Sequence, residues 1–235
     1  MNTHNNRGFT FVELMLSLAM SGIIVAAVYS ALSLQQKNSI AQEQVLEMQQ
    51  NIRVALLTLS KELRMAGYGI DPTDTQISSA TRSQLVFLTD EDKDGNVTSI
   101  SYGFSPADDV DGDGVVDGGG TASFRRKVGA GGWQPVADHI EAIEFFYSGE
   151  SVNTTSPAAA DLPKIRSVTV SILSKADNFD KNYINDGKIY TSFSGTTWDL
   201  NGNATDTGQP TTDHFRRRLL ITSVDLRNMG IESEH

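Results

Sequence analysis

The chain of 235 residues contains no cysteine, which excludes disulfides, thiolate metal ligands and cysteine nucleophiles. Basic residues are also few, because 19 Lys and Arg stand against 29 Asp and Glu, for a net charge of −10. Phosphate binding requires local positive potential, so no nucleic-acid partner is expected, whereas cations suit this charge. Gly-x-Ser-x-Gly, P-loop and His-Glu-x-x-His motifs are absent, so no enzyme activity is predicted.

Proline is absent before Pro72, and Gly22 is the only glycine of residues 9–66. Proline and glycine are the residues that most disfavour a helix interior, so one nearly continuous helix is predicted over about residues 9–66. From Val45 onward its apolar residues recur at steps of three and four, which places them on one helical face. The glycines of residues 67–69 provide the stop.

Charge is absent from Leu14 to Leu34, and about 20 apolar residues suffice to cross a bilayer core. A secretory signal would be cleaved after such a run, whereas the plausible junction here, Gly8/Phe9, precedes it. The apolar segment is therefore expected to stay on the mature protein. Arg7 is the only formal side-chain charge before the junction, so this end is expected in the cytoplasm.

Glu13 is a carboxylate at the start of this apolar run. An ionised group costs on the order of 2.5–3.5 kcal/mol at the bilayer centre and less near an end, so a partner is expected. If cleavage exposes the amine of Phe9, that amine, or the amine of a neighbouring copy, can neutralise Glu13. The alternative is a signal anchor in which Glu13 extends to the membrane interface.

The run Gly8-Phe9-Thr10-x-x-Glu13 resembles the class III leader of the type IV pilin superfamily. The resemblance implies that a prepilin peptidase cuts after Gly8 and methylates the amine of Phe9. It also implies that Glu13 guides each subunit into a filament. The expected location is the inner membrane before assembly, as a single-pass protein, and the pilus afterwards.

The predicted helix closes with Arg64-Met65-Ala66-Gly67-Tyr68, which is similar to the helix ending of W-type minor pilins (PilW family). This similarity implies a minor pilin that primes or caps a type IV pilus, located at its tip. The implied partners are other minor pilins, the major pilin, the inner-membrane assembly platform and a large tip adhesin. Major pilins usually carry a proline within this helix, and its absence departs from that group.

Beyond Pro72 the pattern changes to alternating apolar and polar residues, which predicts β-strands. The predicted strands are 84–88, 99–104, 122–126, 140–147, 165–173 and 217–224. Polar segments of about 149–163 and 175–213 are predicted as long surface loops. The expected fold is α+β, with a long N-terminal helix packed on a mainly antiparallel sheet. The predicted regions are a leader (1–8), a transmembrane or filament-core half-helix (9–37), a head-docked half-helix (38–66) and a β-rich head (67–235).

An acidic run places Asp109, Asp111 and Asp113 at alternate positions, followed by Gly114 and Asp117. Several carboxylate oxygens can thereby converge on one hard cation, so a Ca²⁺ site is predicted at these four aspartates. The run lacks the bidentate glutamate of an intact EF-hand loop. The alternative is a solvated turn between strands.

A second run, Asp90-Glu91-Asp92-Lys93-Asp94, has the same spacing of aspartates but contains a lysine. Asp90, Asp92 and Asp94 are therefore weaker Ca²⁺ candidates, and a solvated turn is favoured there. Two short basic runs, 125–127 and 216–218, are expected to pair with nearby carboxylates.

Two other functions remain open. A J-type pseudopilin of a type II secretion system shares the leader, the glutamate and a large head. A membrane-anchored calcium-binding or adhesive module that never polymerises is a candidate from a different class. Loss or retention of filament assembly when Glu13 is replaced discriminates the second case.

Overall fold

The computed structural model describes residues 9–71, 76–91, 93–185, 188–198, 200 and 213–229. The chain divides into two compact units between Glu43 and Gln44. The first unit is helical in its described part, whereas the second contains the end of the same helix and a β-sheet.

The helix α1 runs from Phe11 to Leu63, close to the predicted span. In the second unit its buried side chains recur at steps of three and four residues, so one face of the helix packs on the sheet. These side chains are Gln44, Met48, Ile52, Ala55, Leu56, Leu59 and Leu63.

Eight strands form one sheet in the described part of the chain, and every strand pair is antiparallel. The strands are β1 Ile77–Ala80, β2 Gln84–Thr89, β3 Thr98–Gly103, β4 Ala122–Val128, β5 Gln134–Gly149, β6 Val152–Thr154, β7 Ile165–Lys175 and β8 Arg217–Asp225. Their order is β1-β2-β3-β4-β5-β7-β8, with β6 paired to β5. All six predicted strands are present. The short strands β1 and β6 were not predicted, because three or four residues give too little alternation to recognise.

The main core lies between α1 and one face of the sheet. Phe87, Tyr102, Phe124 and Phe145 come from four successive strands of that face and are fully buried. Their ring centroids lie 5.7–6.4 Å apart from one strand to the next. Such spacing is typical of favourable aromatic pairs, so this row ties the strands together under the helix.

The end of α1 is held against the sheet by backbone contacts. The N–H of Gly67 donates to the carbonyl of Leu88 at 2.8 Å, and the N–H of Asp90 donates to the carbonyl of Tyr68 at 2.8 Å. Gly69 has φ +75°, and a Cβ there would lie 2.2 Å from the carbonyl oxygen of Asp90. Only glycine fits so close an approach, which gives the helix ending a structural reason.

The opposite face of the sheet is covered by part of the segment predicted as a surface loop, so that prediction was partly wrong. Tyr190, Trp198 and Leu200 are nearly fully buried against Ala142 and Leu173. These apolar residues are too widely spaced in a polar stretch to give a sequence signal. The sheet therefore has an apolar cluster on each face.

A buried carboxylate helps to hold this covering segment. Glu144 of β5 is fully buried and accepts hydrogen bonds from the N–H and the hydroxyl of Ser194, at 3.2 and 2.8 Å. The N–H of Phe193 donates to the hydroxyl of Ser171 at 3.0 Å. Polar residues of the segment thus satisfy polar groups on the sheet, as burial requires.

Candidate functional site

The start of α1 carries the first candidate site. Thr10 immediately precedes the helix, and its backbone N–H and hydroxyl donate to Oε2 of Glu13 at 2.9 and 2.8 Å. The N–H of Glu13 in turn donates to the hydroxyl of Thr10 at 3.3 Å. This reciprocal pair is a capping box, which satisfies backbone donors that a helix N-terminus otherwise leaves unpaired.

The capping box was missed in the sequence analysis, which considered only the amine of Phe9 as a partner for Glu13. The signal was present, because a Thr followed three residues later by Glu just before an apolar run is the sequence signature of this motif. Glu13 thus has a partner within its own chain at the helix start. Gly8 lies outside the described residues, while the side chain of Phe9 is 89 % exposed.

The apolar residues that follow have few contacts within their own unit. From Phe9 to Leu34 every large apolar side chain is between 53 and 89 % exposed. The helix is long and apolar enough, by length and composition, to cross a membrane. Such a surface requires lipid or other apolar helices around it, because exposing it to water is unfavourable by about 25 cal/mol per Å².

The acidic run of residues 109–117 brings three of its four predicted aspartates together. One carboxylate oxygen from each of Asp109, Asp111 and Asp113 lies within 4.8 Å of the others. The carboxylate of Asp109 accepts the N–H groups of Gly112 and Gly114, at 2.9 and 3.2 Å. These bonds fold the loop around Asp109 and leave Asp111 and Asp113 exposed beside it.

Asp117 does not belong to this group of three. Its Oδ2 accepts the N–H of Val110 at 2.7 Å, and this bond closes the loop.

The second acidic run gave the weaker Ca²⁺ candidates. Asp90 accepts the N–H of Gly95 at 3.0 Å, and Asp94 accepts the N–H of Asn96 at 2.7 Å. Asp92 lies outside the described residues.

Burial raises the pKa of Asp109, with a smaller contribution from the charge of Asp111, although hydrogen bonds oppose the shift. Although Asp113 is largely exposed, partial desolvation by the folded loop raises its pKa, and the charges of Asp111, Asp109 and Asp117 add to this effect. Both carboxylates are thus harder to ionise than usual, and a nearby cation would reverse that effect.

The acidic loop is attached directly to β5. The N–H of Ile143 donates to the carbonyl of Gly114 at 2.8 Å, and the N–H of Val116 donates to the carbonyl of Glu141 at 3.1 Å. Gly114 has φ +85°, and a Cβ there would lie 2.2 Å from the carbonyl oxygen of Ile143. The loop is therefore held against a central strand of the sheet.

The arginines 125, 126, 216 and 217 of the two basic runs pair with carboxylates, as predicted. Arg125 and Arg126 form ion pairs with Asp108 and Glu62, at 3.5 and 2.8 Å. Arg216 pairs with Asp180 at 2.9 Å. These guanidinium groups are thereby offset by carboxylates of the same chain.

Arg217 differs from the expectation of an exposed residue, because its side chain is only 2 % exposed. Its guanidinium donates to both Glu141 and Asp213. Burial works against its charge, but these hydrogen bonds prevail and raise the pKa of Arg217 above its usual range. A buried guanidinium so fully paired is structural.

Comparison with known proteins finds a matching family and similar solved structures. Residues 3–29 match the family described as "Prokaryotic N-terminal methylation motif". A solved type IV-like pilin from Thermus thermophilus is similar over 77 % of this chain and 97 % of that chain, with 13 % identity and a TM-score of 0.45. No curated protein matches the chain. The chain therefore carries a prokaryotic N-terminal methylation motif that extends into an apolar helix.

Proposed function

We propose that this chain is a minor pilin, which enters a type IV pilus through the apolar part of α1. The unit that begins at Gln44, here called the sheet domain, would lie at the filament surface. The observation that carries the proposal is the methylation motif at residues 3–29, which includes the start of an exposed apolar helix. A prepilin peptidase would cut between Gly8 and Phe9 and methylate the new amine. The apolar helix would then pass from the membrane to the filament core.

The capping box adds a physical role for Glu13 within this proposal. It fixes the start of α1 directly after Phe9, so that the processed amine lies at the beginning of a defined helix. In the filament base, Glu13 would also meet the amine of a neighbouring subunit. Charge attraction of this kind is stronger in an apolar surrounding than in water.

The finer assignment is a W-type minor pilin of the priming or tip complex, supported by the ending Arg64–Tyr68 and its tight docking beside Leu88 and Asp90. The partners would be other minor pilins, the major pilin, the assembly platform and a tip adhesin. The competing assignment is a J-type pseudopilin. The two are separated by immunoblotting sheared surface filaments and by assaying secretion in a deletion strain.

Loss of surface filaments in the deletion strain, with the chain detected in wild-type filaments, supports the minor pilin. Normal filaments together with a loss of type II secretion would show that the pseudopilin assignment is correct.

Intact-mass analysis of the membrane-extracted protein tests the processing step separately. A mature chain that does not begin at Phe9 would contradict the motif-based assignment.

We further propose that the sheet domain binds Ca²⁺ at Asp109, Asp111 and Asp113. The convergence of their carboxylate oxygens within 4.8 Å supports this proposal. Asp117 would act by closing the loop through Val110. Extracellular Ca²⁺ sites commonly have dissociation constants of about 10⁻⁴–10⁻³ M, which suffices outside the cell.

The test is the melting temperature of the full chain in detergent, with millimolar Ca²⁺, with Mg²⁺ and with a chelator. At a tenfold excess of Ca²⁺ over Kd, binding stabilises the folded state by about 1.4 kcal/mol, so a rise is expected with Ca²⁺ and a smaller one with Mg²⁺. Asp111→Ala/Asp113→Ala should lose most of this gain. Glu150→Ala/Asp225→Ala removes the same charge elsewhere and should keep it. Identical melting curves with Ca²⁺ and chelator would rule the site out.

A further inference from the structure

The sheet has two edges that differ in how well they are protected. The edge strand β1 has four residues and a register irregularity between Ile77 and Ser79. The other edge strand, β8, has nine residues in an unbroken register with β7. Short or bulged edges resist further strand pairing, whereas a long regular edge invites it.

The hydrogen bonds at the two ends of β8 show which backbone groups are free. The N–H of Ala176 donates to the carbonyl of Arg216, and the N–H of Leu226 donates to the carbonyl of Arg166. Because bonding direction alternates along a strand, even-numbered residues of β8 point their backbone groups toward β7. The odd-numbered residues, Leu219, Ile221 and Ser223 among them, point theirs away from the sheet.

Within the described ranges, no strand pairs with this outer edge of β8. Nor does any described residue form a backbone hydrogen bond with Leu219, Ile221 or Ser223 on that side. Ile221 and Ser223 are exposed, and residues 219–223 carry no charge and no proline. The usual devices that block edge pairing are therefore missing from the middle of the strand.

We propose that β8 pairs with β8 of a second copy of this chain, antiparallel and centred on Ile221. The strand is self-complementary in this arrangement. Leu219 would face Ser223 of the second copy, and the two Ile221 side chains, each 42 % exposed, would cover one another. A two-fold contact of this kind uses the same surface on both copies.

The charges at the ends of β8 fit the same arrangement. In the register centred on Ile221, Asp225 of one copy lies opposite Arg217 of the other, so opposite charges meet at both ends of the paired strands. Asp225 is exposed and forms no ion pair with a described residue. A parallel arrangement would instead place like charges together, which is unfavourable. The pairing goes beyond the pilin function and does not rest on it.

Because the chain has no natural cysteine, an introduced cysteine can form a disulfide between two copies without competition from other thiols of the chain. In the full chain, expressed in membranes and treated with a mild oxidant, Ile221→Cys should give a disulfide-linked dimer. The two Cα atoms of a directly opposed, hydrogen-bonded pair lie about 5.5 Å apart, within the range that a disulfide spans. Ser223→Cys is the matched control, because its two copies would lie roughly 14 Å apart along the strands.

The register gives a second readout. Leu219→Cys/Ser223→Cys should restore the cross-linked dimer that Ser223→Cys alone lacks. Equal cross-linking of Ile221→Cys and Ser223→Cys would indicate random collision and overturn the proposal. Absence of a dimer from both Ile221→Cys and the double variant would also overturn the proposal, because β8 would then not pair with a second copy.

Proline substitutions separate edge pairing from folding. Ile221→Pro removes an N–H that points outward, so it should abolish cross-linking of the double-cysteine variant while the melting temperature changes little. Thr222→Pro removes an N–H that bonds β7, so it should lower the melting temperature markedly. Retained cross-linking in a folded Ile221→Pro chain would contradict the proposal.

Discussion

The apolar residues of this protein are used in opposite ways in its two units. In the unit that begins at Gln44, they fill a core under the sheet, and many are fully buried. In the unit that ends at Glu43, they are exposed along the helix. The first arrangement buries apolar surface within the unit, whereas the described residues of the second form no core and leave that surface to lipid or other helices. One continuous helix thus exposes apolar side chains along its first part and contributes buried side chains to a core from Gln44 onward.

The largest effect should come from truncating the core, and α1 itself offers a matched pair. Leu59 is fully buried and Leu57 is 64 % exposed on the same turn. Leu59→Ala should lower the free energy of unfolding by about 2–5 kcal/mol, because it leaves a cavity. Leu57→Ala should change it by less than about 0.5 kcal/mol. Urea denaturation followed by tryptophan fluorescence measures both, and equal losses would contradict the assigned core face.

The next effect concerns glycine in the two units. Gly69→Ala would place a side chain at φ +75° and into the carbonyl of Asp90, so a loss of at least about 1–2 kcal/mol is expected. Gly22 lies in α1, and a methyl group added there would meet nothing within 4 Å, so Gly22→Ala should favour the helix by up to about 1 kcal/mol. Helicity by circular dichroism and the unfolding midpoint measure the two variants. A stable Gly69→Ala chain would show that the helix end is not fixed by this contact.

A smaller effect is expected at the capping box. Thr10→Ala should destabilise the helix start by about 0.5–2 kcal/mol, measured as faster hydrogen exchange of the first helical amides in micelles. The stability of the sheet domain should not change, since its core begins after Gln44.

Glu13→Gln separates the two roles of that residue, because glutamine can also serve in a capping box but carries no charge. If the charge guides assembly, Glu13→Gln should retain slow exchange at the helix start and fail to enter filaments. If Glu13→Gln enters filaments at the wild-type level and Glu13→Ala does not, the role of Glu13 in assembly is capping alone.

The smallest effect is the change in folding stability with pH that arises from the acidic loop of residues 109–117. Because the pKa values of Asp109 and Asp113 are raised in the folded state, the folded chain holds these protons more tightly than the unfolded chain. Stability from these groups therefore falls as pH rises from their ordinary value of 3.8 through the raised folded values. The penalty is fully present above that window, where Ca²⁺ would relieve it.

The stabilisation by Ca²⁺ should accordingly be greatest at neutral pH and should decline as pH falls through the same window. Melting curves with Ca²⁺ and with chelator across that range measure it. Asp225→Ala serves as a control, because it removes an exposed carboxylate from outside the loop. A gain from Ca²⁺ that does not change with pH would argue against binding at these carboxylates.

Much of the fold follows from local pattern. The absence of proline and the apolar steps from Val45 predicted α1, and alternation predicted the six longer strands. The candidate transmembrane segment follows from composition alone, because an uncharged apolar run has the same meaning in any fold. The expected cleavage junction and the acidic loop are also predicted from short motifs, since their residues are adjacent in sequence.

Tertiary structure decided what depends on residues far apart in the chain. Arg217 looked like an exposed strand residue, but it is buried in ion pairs with Glu141 and Asp213. Tyr190 and Trp198 looked like loop residues, but they cover the second face of the sheet. The position of β8 at the edge of the described sheet likewise depends on strand order. Local sequence determines helix, strand and motif through neighbouring residues, while pairing, burial and edges arise only when distant segments meet.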